Sequence, residues 1–135
     1  MKKQTRKNSW SLLLTIALTL SGCLPQSKDD LLQATLLSYA QQIRWGSPLE
    51  AARFLDPALP DLQPTQFQIS RMGNYTVTAY RELGGRQLAD GRYSQNVEIR
   101  MTNKFSAGQR TVIDKQNWRY DEASHTWLLT TGLPY

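Results

Sequence analysis

Residues 92–102 read Arg92-Tyr93-Ser94-Gln95-Asn96-Val97-Glu98-Ile99-Arg100-Met101-Thr102. Tyr93, Gln95, Val97, Ile99 and Met101 fall on one side of a period-two pattern, and Arg92, Ser94, Asn96, Glu98 and Arg100 fall on the other. Strict alternation of this kind predicts an antiparallel strand with one face on a core and the other in water. Downstream, Thr111 to Tyr120 repeats the pattern with Val112, Asp114, Gln116, Trp118 and Tyr120 in phase. Asn103 to Gly108 is the turn between the two. Asp121-Glu122-Ala123-Ser124-His125 closes a hairpin into a last strand, Thr126 to Thr131. Upstream, Tyr75 to Leu83 places Tyr75, Val77, Ala79 and Arg81 on one face, with Gly84-Gly85 as the expected turn. Phe67 to Arg71 reads as a further short strand, with Gly73-Asn74 after it.

Before residue 56 the apolar period is that of a helix. Leu32, Leu36, Tyr39, Ala40 and Ile43 recur at steps of three and four, after Asp29 and Asp30, which suit a helical first turn. Gly46 suits the stop, and Ser47-Pro48-Leu49-Glu50 is a capping box that predicts a second helix from Pro48 to about Leu55. Three prolines between Asp56 and Gln66 make that segment a connection. Helices followed by four to five antiparallel strands give an α+β domain over residues 29–135, with the N-terminal helices packed on a curved sheet.

The chain has 135 residues, 16 Lys and Arg against 11 Asp and Glu, one Cys and one His. That length suits a single folded domain. One Cys and one His cannot build a Cys/His zinc cluster, one Cys cannot close an internal disulfide, and no cofactor motif is present. Four of the cations, Lys2, Lys3, Arg6 and Lys7, precede the apolar run Trp10 to Leu20. That run is shorter than the roughly 20 residues of a membrane-spanning helix, and its cationic flank is that of an export signal. Without the leader, twelve cations face eleven carboxylates. So even a balance argues against nucleic acid as a partner.

Leu20-Ser21-Gly22-Cys23 resembles the lipobox of bacterial lipoproteins. The resemblance implies a signal peptide over residues 1–22, cleavage between Gly22 and Cys23, acylation of Cys23 and a lipidated tether over residues 23–28. The thiol is the acyl acceptor, and the small Ser21 and Gly22 give the peptidase access. Two or three acyl chains imply stable anchoring, beyond the marginal binding of one. Leu24 and Pro25, where an Asp would favour the inner membrane, imply the outer membrane of a Gram-negative cell, on its periplasmic face. Within the domain, Ile43-Arg44-Trp45-Gly46, Ala51-Ala52-Arg53-Phe54, Asn117-Trp118-Arg119-Tyr120-Asp121-Glu122 and Trp127-Leu128-Leu129 resemble small proteobacterial lipoproteins with a nuclear transport factor two-like (cystatin-like) domain. That resemblance implies a cone-shaped fold hosting binding modules as well as isomerases and cyclases.

Enzymes of that fold hold a carboxylate or imidazole inside the cone. By strand phase Asp114 is the candidate base here, because it shares a face with Trp118 and Tyr120; the alternative is a solvated or Arg-paired Asp114. His125 falls in a hairpin loop that supplies few groups to tune it, and Glu98 beside Arg100 reads as a surface ion pair. Trp45, Trp118, Trp127, Tyr39, Tyr75, Tyr93 and Tyr120 suit a small domain's core. The alternative is an apolar-ligand pocket lined by Trp118, Tyr120 and Tyr93. These readings lead to a non-enzymatic envelope module that binds a protein partner or a small apolar ligand. An isomerase- or cyclase-like enzyme using Asp114 is the alternative.

Overall fold

The structure is a computed structural model and describes residues 26–135. The signal segment and Cys23 lie outside the described residues. Helices α1 (Lys28–Trp45), α2 (Pro48–Ala52) and α3 (Gln66–Met72), with a 3-10 turn at Pro60–Leu62, precede strands β1 (Tyr75–Gln87), β2 (Tyr93–Asn103), β3 (Gln109–Asp121) and β4 (Thr126–Leu129). The strands form one open antiparallel sheet in the order β1-β2-β3-β4. This is the expected α+β plan, with four strands.

Ser27 caps α1 and forms a reciprocal capping box with Asp30, satisfying two backbone N–H groups that the first turn leaves free. The helix buries Leu32, Leu36, Tyr39, Ala40 and Ile43, the stripe its spacing predicts. Against it the sheet turns Val97, Ile99, Met101, Trp118, Trp127 and Leu129. Tyr39 meets Trp118 edge-on at 5.2 Å and Phe54 at 5.4 Å, so one tyrosine joins helix, loop and sheet. Trp127 Nε1 donates to the carbonyl of Lys28 at 2.9 Å and pins the start of α1 to β4.

Five expectations need correction. The α2 helix stops at Ala52 instead of Leu55, because Leu55 leaves to bridge Leu129: Asp56 N donates to Leu129 O, and Leu129 N to Phe54 O. Residues 67–71 are helical, not a strand. Thr65 and Gln68 form a capping box, and Phe67 is 70% exposed, so its alternation with Ile69 does not mark a buried face. Gly84-Gly85 is not the hairpin turn; β1 runs through it to Gln87, and Leu88 to Gly91 turns the chain, with Gly91 at φ +83°. Gly84 sits at a register shift with φ +125°, and a Cβ on Gly85 would collide with the Tyr93 hydroxyl, so both glycines serve the strand's irregularity. An earlier shift between Val77 and Ala79 also changes the phase of β1, so that Tyr80 joins Tyr75 and Val77 against the core. Trp45, counted with the core aromatics, is 69% exposed, with the Arg44 guanidinium 3.9 Å from its ring.

Candidate functional site

The polar positions on the inner face of the sheet meet at Gln116, which is fully buried. Its Nε2 donates to Asp114 Oδ2 at 2.6 Å and to the Tyr80 hydroxyl at 3.1 Å. Its Oε1 accepts from Gln95 Nε2 at 2.7 Å and from Trp118 Nε1 at 3.4 Å. Both donors and both lone pairs of the amide are therefore used, as a polar group in an apolar wall requires. The cross-strand register brings this about by setting Gln95 opposite Gln116 and Val97 opposite Asp114.

Asp114 is buried, and among the described residues no cation pairs with it. Removal from water disfavours its charge and pushes its pKa up to about 6, against the opposing pull of the Gln116 hydrogen bond. Burial likewise carries Tyr80 up to about 12. Tyr39 is raised well above the ordinary tyrosine range, first by burial and then by the charge of Asp114. The Tyr39 hydroxyl is buried without a hydrogen-bond partner among the described residues.

Among the described residues, five of the surface clefts have volumes between about 190 and 680 Å³, and Asp114, Gln116 and Tyr39 line none of these five. Trp118, expected either in the core or on a pocket wall, is wholly buried between Tyr39 and Phe54. Tyr93 is half-buried over Gly85. Tyr120 is half-buried, packs on Trp127 at 5.5 Å and lines a cleft of about 350 Å³ with Lys28, Gln87, Arg92 and Trp127. Lys28 Nζ lies 4.5 Å from the Tyr120 ring and pairs with Glu122. The strand phase thus brings Asp114 and Trp118 into one network and leaves Tyr93 and Tyr120 outside it.

His125 is exposed at the hairpin, with left-handed backbone at φ +53° and its Nδ1 3.3 Å from the Tyr120 hydroxyl. Glu98 bonds to Arg81 across the strands at 3.0 Å, closer than Arg100 at 3.5 Å, and Arg81 holds its carboxyl below the usual range. Sequence reasoning missed the buried Asp56. It accepts from Arg119 Nη2 at 2.7 Å and Nε at 2.9 Å, and with Arg119 and Asp121 it lines the cleft of about 680 Å³. The Asp-Pro step at residues 56–57 points to a turn and carries no sign of the distant arginine.

No protein-family model matches the chain, and neither does any curated protein. Among solved structures, the chain is similar to a SEC-C motif containing protein from Rhodopseudomonas palustris, with a TM-score of 0.54 and 15% identity. The match covers 82% of this chain and 80% of that one. At this identity the likeness is one of fold.

Proposed function

We propose that the chain is a lipoprotein anchored through Cys23 to the outer membrane and facing the periplasm, with a cone-shaped, nuclear transport factor two-like domain that serves as a non-enzymatic binding or accessory module. The filled inner face of the sheet carries the choice of binding over catalysis. Trp118, Tyr39, Val97, Ile99 and Gln116 are each fully buried, and Met101 nearly so, where an enzyme of this kind would hold its substrate. The anchor rests on Leu20-Ser21-Gly22-Cys23 and the cationic leader before it.

A second reading, as an isomerase- or cyclase-like enzyme or an apolar-ligand carrier, rests on Asp114. A buried carboxylate with a pKa near 6 has the proton affinity of a general base, but it lines none of the five clefts.

The test is metabolic labelling with radioactive palmitate, followed by capture of the labelled chain from detergent-solubilised envelopes. Wild type is expected to take up label and Cys23→Ala to remain an unlabelled precursor; equal labelling refutes the anchor. A stoichiometric envelope protein in the capture supports the binding module. A retained apolar molecule with no protein favours the carrier or enzyme.

A further inference from the structure

Arg71 and Arg110 come from elements far apart in the chain and line one cleft of about 310 Å³ with Gln68, Met72, Tyr75 and Tyr135. Gln68, Arg71 and Met72 are spaced i, i+3 and i+4, which puts them on one side of α3. Arg110 is in phase with Val112 and Asp114 at the open end of β3. A second cleft, of about 190 Å³, shares Met72, Tyr75 and Tyr135 and adds Arg44 and Lys104. No Asp or Glu side chain lines either cleft. Arg53, Arg81, Arg92, Arg100 and Arg119 sit in ion pairs, whereas among the described residues Arg71 and Arg110, like Arg44 and Arg86, do not. The Tyr75 ring is half-buried between the two clefts, as is Tyr135.

Guanidinium groups match the planar edges of carboxylates and phosphates bidentately, and two of them over a concave surface favour a doubly charged oxyanion above chloride or a single carboxylate. We propose that this joined cleft is a binding site for a small dianion of the phosphate or carboxylate type, held by Arg71 and Arg110, with Tyr75 and Tyr135 as its walls. Arg44 and Lys104 add positive potential from the adjoining cleft and raise the local concentration of such ligands. A soluble metabolite and a lipid headgroup both offer this chemistry.

The experiment is a titration of the full chain, purified in a zwitterionic detergent, at constant ionic strength. The probes are inorganic pyrophosphate and dihexanoyl phosphatidic acid. Saturable pyrophosphate binding is expected, weakened about tenfold by Arg71→Gln or Arg110→Gln and lost in the double variant. It should be unchanged by Arg81→Gln, which removes a cation bonded to Glu98 on the polar side of the sheet. Pyrophosphate binding alone assigns the site to a soluble phosphate-type anion, and lipid binding through the same arginines assigns it to a headgroup. Binding that never saturates, or that survives in a double variant with a wild-type melting temperature, overturns the proposal.

Discussion

Asp56 and Asp114 are both buried carboxylates, yet their surroundings differ in kind. Asp56 accepts two hydrogen bonds from Arg119 and a third from the backbone N–H of Ala58 at 2.9 Å. Asp114 accepts from the neutral amide of Gln116 and, among the described residues, has no cation within reach. The first site suits an anion and ties the loop after α2 to β3. The second suits a neutral carboxyl, because an amide dipole offsets only part of the cost of taking charge out of water. A buried Asp is therefore not by itself a sign of catalysis. Its donors decide whether it fastens the fold or carries a charge that the fold resists.

The largest change is expected where the wall around Asp114 is removed. Trp118→Ala takes away a fully buried ring and the donor it gives to Gln116, and should destabilise the domain by about 3 to 5 kcal/mol in urea unfolding. A loss below about 1 kcal/mol would mean that the ring lines solvent and not a core. Breaking the other site should cost less. Asp56→Ala leaves Arg119, whose side chain is 37% exposed, able to turn toward water, so the expected loss is about 1.5 to 3 kcal/mol, that of the hydrogen bonds to a charged group and not that of a charge left buried. No measurable loss would show that the Asp56–Arg119 contact does not hold the loop.

Much of this contrast was legible in the sequence, but unevenly. The inner faces of β2 and β3 follow from alternation alone, since each side chain's face is fixed by parity, and so Asp114 could be placed on the inner face beside Trp118. The stripe of α1 was equally plain. Less could be read where backbone geometry departs from a period. The two register shifts in β1 move Tyr80 to the core and carry the strand through Gly84-Gly85, and neither shift leaves a mark in a hydrophobic pattern. Phe67 to Arg71 reads as a strand because five residues are too few to separate periods of two and 3.6, although the Thr65–Gln68 capping box was there to find. Asp56 was missed because its partner lies 63 residues away, and no local pattern reports a contact of that range. The pairing of Arg71 with Arg110 across one cleft is hidden for the same reason.

The most direct test of Asp114 as a charge that the folded domain resists is the unfolding free energy of wild type and Asp114→Asn, compared from pH 3 to pH 7.5. Its folded pKa of about 6 lies above the ordinary value of 3.8. Below that ordinary value both states are protonated and the charge costs nothing. As pH rises from there to about 6 the unfolded chain ionises first, so wild type loses stability, and above about 6 the loss is constant. The difference between the two proteins isolates this one group from the other carboxyls. It should be small at pH 3 and should favour Asp114→Asn by about 2 to 3 kcal/mol at pH 7.5. A difference that stays flat with pH would contradict this, because it would mean that the Asp114 carboxylate is as well solvated in the folded domain as in the unfolded chain.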